Sequence, residues 1–384
     1  MNGKTKNLMI IAGEVSGDMH GAALVHQLKQ MDSEIKFFGL GGNLMKNEGV
    51  YLLYHLNQLA FLGFIEVIKH IPFVKQVQAE LIDMVIGRNI DTVVLIDYPG
   101  FNLNIAEKLK KHNVKIIYYI SPQIWAWGAN RINKIKQLVD KMIVVFPFEK
   151  EIYAKAGVDV EYVGHPLMEI VGNHRFLERS ELINELQLDP SRDILLILPG
   201  SRKQEVEKIF PQSIKAAEKI AADFNMQVVV NAAQNISERF LFRSAKKKKF
   251  VVAKGYTYDL MRHSKFGIIK SGTSTIEAAV FQLPMVIVYK TSWPTYFIGK
   301  TLIKIDTIGM ANIILKERVV PELVQHQASH KLIYEKSKEI LSNQTLYNSI
   351  KDKLGLIKEK LGESGASAKA AKIIFKMMNE TKGN

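Results

Sequence analysis

Apolar runs of about five residues recur along the whole chain. Each ends in a turn rich in glycine, proline or hydroxyl groups, and an amphipathic stretch follows. In the first half the runs are Leu8–Ala12, Ile35–Gly39, Thr92–Ile96, Lys115–Ile120, Lys141–Phe146 and Val160–Gly164. In the second they are Ile194–Leu198, Met226–Val230, Phe250–Ala253, Phe266–Ile269 and Met285–Tyr289. Runs that stay apolar at successive positions, rather than at every other one, predict strands buried on both faces. Their alternation with helices predicts parallel sheets. Polar residues 171–192 separate the two series and read as a connector, so the pattern predicts two α/β domains of similar size. The chain then closes with helices, and Gly362–Gly365 marks a break before a last helix over Ala366–Met378.

In such sheets the carboxyl ends of the strands carry the chemistry. The first strand runs into GEVSGD at 13–18 and a helix from about His20 to Lys29. This is a Rossmann-like opening without the GxGxxG fingerprint, and Glu14 and Asp18 would repel a pyrophosphate. The turn therefore suits a hydroxyl-rich acceptor better than a cofactor diphosphate. Thr92–Ile96 ends in Asp97-Tyr98-Pro99-Gly100; a carboxylate there is a candidate for chemistry, or a cap for the next helix. The Lys115–Ile120 run leads into SPQIWAW, whose two tryptophans can stack on a sugar or anchor the loop. In the second half PGSR at 199–202 brings a guanidinium that can neutralise a phosphate. FGIIKSGTSTIEAA at 266–279 reads as a short strand, a hydroxylated turn and a helix opening on Glu277. Helix N–H groups there suit a diphosphate, and Glu277 suits ribose hydroxyls. An ordinary helix capped by Thr273 or Ser274 stands as the alternative.

Charge sharpens the division. The 384 residues carry a net +14; residues 1–170 hold 18 Lys and Arg against 17 Asp and Glu, and residues 171–384 hold 34 against 21. A basic second half suits anionic partners such as nucleotide diphosphates, lipid phosphates or an anionic membrane face. Nucleic acid is disfavoured because no binding motif accompanies the charge, and Lys246–Lys249 reads as a solvated loop. The absence of cysteine excludes disulfides and thiolate metal sites. No apolar run approaches the roughly 18 residues of a membrane span, and no signal-peptide layout opens the chain. Two apolar-basic stretches, 60–77 and 293–308, stay open between core packing and contact with acyl chains or a membrane interface. In the first, Phe61, Phe64, Ile65, Ile68 and Ile71 recur near helical spacing and Pro72 interrupts them.

Eight motifs now stand in order: GEVSGD at 13–18, FLGFIEV at 61–67, IDYPGFN at 96–102, SPQIWAW at 121–127, FPFE at 146–149, GHP at 164–166, LPGSR at 198–202 and SGTSTIE at 271–277. Together they resemble the lipid-A-disaccharide synthase family over nearly the full length. The resemblance implies an α/β GT-B fold with two Rossmann-like domains facing across a cleft. Residues 1–170 would form an acceptor-binding domain, joined by a C-terminal helix at about 366–384. Residues 186–361 would bind the UDP-sugar donor. It implies an inverting transfer of 2,3-diacylglucosamine from UDP to 2,3-diacylglucosamine 1-phosphate, with a β-1,6 linkage and release of UDP. Work at the cytosolic face of the inner membrane and a homodimer with exchanged C-terminal parts belong to the same implication. So do Asp97 as the base, and Gly200, Ser201, Arg202, Ser271, Gly272, Thr273, Glu277 and Asn312 as donor contacts. Glu14, Ser16, Asp18 and Trp125 fall on the acceptor side. His20 is an alternative base. No metal site or cofactor is expected. Two residues depart from the expected pattern: Gly100, where some relatives carry an acid, and Lys270, where a small residue is expected.

Overall fold

The computed structural model describes residues 6–59, 66–122, 131–245, 249–291, 296 and 307–380, with the side chains of 66–70 outside that set. The chain divides into two compact units, the first Met1–Gly172 with Leu361–Asn384 and the second Asn173–Lys360.

Unit 1 holds β1 (Asn7–Ala12), β2 (Lys36–Gly41), β3 (Tyr51–His55), β4 (Thr92–Ile96), β5 (Lys115–Tyr119), β6 (Lys141–Val144) and β7 (Val160–Tyr162). They form one parallel sheet in the order β3-β2-β1-β4-β5-β6-β7. The central strands are apolar throughout because helices cover both faces: every residue of Leu8–Ala12 and Val93–Ile96 is completely buried. On one face Met9, Ile11, Val93 and Leu95 pack with Val77, Leu81 and Val85 of the helix Glu66–Gly87. Truncating Leu81 to alanine would cost about 2–5 kcal/mol. Pro72 lies inside that helix, so it does not interrupt it as the sequence suggests. Of the stretch 60–77, residues 60–65 lie outside the described residues. Among the rest, Ile71 is exposed while Val77 is buried.

The last helix, Ala366–Asn379, belongs to unit 1 and packs on the helix Val15–Met31. Its buried Ala366, Ala370 and Ala371 are small enough for close approach. The Glu169 carboxylate accepts the Ser367 N–H (3.2 Å) at its positive end. Leu361 O accepts from both Tyr162 Oη and the His165 N–H, which fixes the returning chain.

Unit 2 holds β8 (Asp193–Leu198), β9 (Met226–Asn231), β10 (Val251–Ala253), β11 (Phe266–Lys270), β12 (Met285–Tyr289) and β13 (Glu322–Val324). They form a parallel sheet in the order β10-β9-β8-β11-β12-β13. β3 and β13 are additions to the elements the apolar pattern predicts. Both are short edge strands with half-buried positions. The polar segment 171–192 is not a bare connector. Residues Arg179–Glu185 form a helix with Leu182 and Ile183 buried, and Asp259 accepts hydrogen bonds from the Leu177 N–H (2.8 Å) and His174 Nε2 (3.1 Å).

The two sheets share one logic. Strand order reverses beside β1 in unit 1, where β1 lies between β2 and β4. It reverses beside β8 in unit 2, where β8 lies between β9 and β11. A crevice opens outside the carboxyl ends at such a switch point, because successive crossovers leave to opposite sides of the sheet.

Candidate active site

In each unit two of the turns singled out by the sequence flank its switch point. β1 and β4 pair in register through Ala12 and Ile96, and the residues that follow are Gly13-Glu14 and Asp97. β8 and β11 pair through Leu198 and Ile269. Beyond them lie Gly200-Ser201-Arg202 on one side and Ser271-Gly272-Thr273 on the other.

Asp97 is held in a strained conformation. Asp97 and Tyr98 both take left-handed backbone angles (φ 45° and 47°), at about 1–2 kcal/mol per residue. Its carbonyl accepts hydrogen bonds from Asn102 Nδ2 (2.7 Å) and Tyr118 Oη (2.6 Å), which offset that strain. The double left-handed turn folds the Tyr98 ring over Gly13, so close that a Cβ at Gly13 would lie 2.2 Å from Cδ1. The carboxyl group is half-buried. Burial, helped by the negative charge of Glu14 and opposed by a hydrogen bond from the Tyr98 N–H, raises its pKa to about 7. Asp97 does not cap the following helix; Tyr98 occupies the N-cap position.

The remaining first-unit residues separate into two groups. Glu14 is the N-cap of the first helix, and Ser16 lies in that helix's first turn, half-buried beside it. The helix starts at Val15, earlier than the glycine-rich turn suggests. Asp18, by contrast, is 4% exposed. Its carboxylate accepts the backbone N–H groups of Gly42 (2.7 Å), Leu44 (3.0 Å) and Met45 (3.0 Å). It serves the N-terminus of the helix Asn43–Asn47. His20 and His165 lie near one another. Burial lowers His20 to about 4, and burial together with His20 lowers His165 to about 3. The His165 Nδ1 accepts the Leu167 N–H (3.1 Å). Trp125 lies outside the described residues. The residues before it are anchored: Ser121 Oγ donates to the buried Glu149 (2.7 Å), and Tyr153 Oη donates to Pro122 O (3.1 Å). Ile120, a β-branched residue, takes φ 62° just after β5.

In unit 2, Gly200 has φ 110°, a left-handed conformation that lets the chain leave β8 sharply. Ser201 and Arg202 are exposed, and Arg202 is the N-cap of the helix Lys203–Asp223. The helix after β11 starts at Thr273, not at Glu277, with Gly272 at its N-cap and no side-chain cap; Thr273 and Ser274 are its first residues. Ser271 Oγ donates to Ile308 O (3.0 Å) and its N–H to Val288 O (2.9 Å), so its donors hold the turn. Glu277 stands one turn in, half-buried. Burial raises its pKa to about 7, against a hydrogen bond from Tyr258 Oη (3.4 Å). Asn312 does not join this group. It is 1% exposed, and its two amide hydrogens go to Val320 O (2.9 Å) and Glu322 Oε1 (2.7 Å). Glu322 in turn accepts the N–H groups of Ile308 and Gly309, so Asn312 supports the segment against which Ser271 rests. Sequence reasoning missed Glu205 and Tyr258. Neither belongs to a turn motif: Glu205 stands in the first turn of the helix that Arg202 caps, and Tyr258 in the helix Thr257–His263.

Among the described residues no group of His, Asp and Glu is arranged to hold a metal ion, and no helix is long and apolar enough to cross a membrane.

Two parallel sheets of Rossmann order, each with polar turns at its switch point, are the arrangement of the GT-B fold. Solved structures share that fold. The S. aureus MnaA–UDP co-structure matches with a TM-score of 0.68 at 13% identity, covering 99% of this chain and 98% of that one. The calicheamicin glycosyltransferase CalG4 matches at 0.61 and 13% identity over the full length of both. Residues 8–375 match the lipid-A-disaccharide synthetase family. The lipid-A-disaccharide synthase of Geobacter sulfurreducens is 38% identical over 376 residues, 97% of each chain. The chain belongs to the lipid-A-disaccharide synthetase family.

Proposed function

We propose that this protein is the inverting hexosyltransferase of lipid A biosynthesis that joins UDP-2,3-diacylglucosamine to 2,3-diacylglucosamine 1-phosphate, and that its two units divide the work. Unit 2 takes the donor. Arg202 and the N–H groups of the 200–202 and 271–273 turns meet the diphosphate, and Glu277 accepts from the ribose hydroxyls. Unit 1 takes the acceptor and supplies the base.

Asp97 removes the proton of the acceptor 6-hydroxyl as that oxygen attacks the donor's anomeric carbon from the face opposite UDP. The bond from that carbon to the diphosphate oxygen breaks, and its electron pair leaves with UDP. The charge that develops there is met by the guanidinium and the two helix N-termini. One displacement needs one base and no sugar–enzyme bond.

The observation that carries this reading is the state of Asp97. A carboxylate at a switch point, raised to about 7 by burial and by Glu14, suits proton removal near neutral pH. His20 is the weaker alternative, because a base lowered to about 4 has little affinity for the proton it must take. Attachment to the cytosolic face of the inner membrane and a homodimer are part of the same proposal. An anionic membrane would attract the basic second half of the chain.

The test is an assay in detergent with the UDP-linked donor, with and without the diacylated sugar phosphate. The proposal expects UDP and disaccharide only when both are present. Turnover of an undecaprenyl-linked muropeptide in place of the diacylated acceptor would refute it.

A further inference from the structure

Lys270 and Glu205 form an ion pair between the two turns of the unit 2 switch point. Lys270 ends β11, and Glu205 lies in the first turn of the helix Lys203–Asp223. Lys270 Nζ is 2.9 Å from Glu205 Oε1, with the two side chains 19% and 20% exposed. The other carboxylate oxygen, Oε2, lies 3.0 Å from where a Cβ on Gly200 would stand. Lys270 Cδ is 3.6 Å from that same point, and its Nζ is 3.7 Å from the Cβ position of Gly272. The lysine stem therefore crosses from one turn to the other. The carboxylate rests against the glycine that lets a ligand approach the backbone.

A carboxylate in that position stands where an anion would. It lies at a helix N-terminus, on an ammonium group, with the Arg202 guanidinium three residues before it. Left without a counter-ion, a four-fifths-buried ammonium between two helix N-termini would be costly, and Glu205 removes that cost. A diphosphate offers more charge and more acceptor oxygens to the same groups than one carboxylate does.

We propose that Lys270 is a diphosphate-binding residue and that Glu205 is its internal counter-ion, displaced when the UDP-sugar binds and restored as UDP leaves. The inference rests on the reading of this switch point as the donor site. Glu205 thereby competes with UDP and hastens product release, while Lys270 lets the site distinguish UDP from uridine.

Calorimetric titration of UDP and of uridine into the full-length protein and three variants tests it. Lys270→Met should raise the Kd for UDP about tenfold and leave the Kd for uridine unchanged. Glu205→Gln should lower the Kd for UDP several-fold and slow turnover at saturating substrates. The variant carrying both changes leaves no unpaired buried charge to disturb folding, and it should bind UDP about tenfold more weakly than Glu205→Gln alone. Equal UDP affinity in those last two proteins would overturn the proposal, as would a Glu205→Gln protein that binds UDP more weakly than wild type. If the wild type fails to bind UDP at all, the donor-site reading itself falls, and that result is distinct from either of these.

Discussion

Replacing Asp97 by asparagine should make the protein more stable and inactive at once. In the unfolded chain the carboxyl group has its ordinary pKa of 3.8; in the folded protein it is raised to about 7. A raised carboxyl means that the folded state favours the proton. Asp97 therefore has no effect on stability below pH 3.8, destabilises increasingly as the pH rises from 3.8 to 7, and levels off above. Three pKa units correspond to about 4 kcal/mol. Partial exposure of the side chain screens the charge, so about 2 kcal/mol is the working figure. Asparagine keeps an oxygen for the Tyr98 N–H and carries no charge for burial and Glu14 to oppose. At pH 8 the Asp97→Asn protein should melt roughly 4–8 °C above wild type, and at pH 4 the two should melt together. Turnover should fall by about two to four orders of magnitude, while UDP affinity stays unchanged because the groups proposed to hold UDP lie in unit 2. Scanning calorimetry at the two pH values, with UDP titration and the transferase assay, reads all three. Equal melting temperatures at pH 8 would refute the account of Asp97 as a strained, charge-opposed carboxylate. Wild-type turnover would refute its role as base.

The other predictions concern Glu277, Asp18 and His20. Burial raises Glu277 to about 7, and in the proposed donor site ribose hydroxyls donate to its anion. UDP affinity should therefore rise as the pH climbs toward 7 and level off above, with proton release on binding, read by calorimetry in two buffers of different ionisation enthalpy. Glu277→Gln should remove that pH dependence and raise the donor KM about tenfold. Asp18→Ala leaves three N–H groups, two of them in buried hydrogen bonds, without their acceptor and should lower stability by about 2–4 kcal/mol, measured by urea titration. Asp18→Asn should recover part of that. His20→Gln should leave the pH dependence of turnover in place; a shift of its midpoint would restore His20 as a base.

The turns at the switch points were legible because the strands before them carry short apolar runs. β4 (TVVLI) and β8 (DILLIL) announce their own ends, and the residues after a buried parallel strand fall where ligands bind. The length and hydroxyl content of SGTST likewise gave away a helix N-terminus. What could not be read was which polar residue points outward. Asp18 and Asn312 share motif-like settings with Glu14 and Glu277, yet they spend their hydrogen bonds on the backbone of segments 24 and 8 residues away. Sequence spacing does not encode that choice, which depends on where a neighbouring helix or turn leaves its N–H groups. Glu205 was hidden for a related reason. On a helix whose exposed face is rich in Lys and Glu it looks like one surface charge among several, and only the Lys270 contact sets it apart. Pro72 misled in the opposite direction, since a proline usually marks a helix end and here lies within one.

The account's central claim is that Asp97 is the base, tuned by Glu14, and the pH dependence of kcat/KM for the acceptor at saturating donor tests it most directly. Saturating donor keeps Glu277 occupied and out of the titration. The account predicts a rate that falls about tenfold per pH unit below an apparent pKa near 7, and a midpoint displaced toward acid in Glu14→Gln, where the repulsion that raises Asp97 is gone. A profile flat between pH 5 and 8, or one that Glu14→Gln leaves in place, would contradict it.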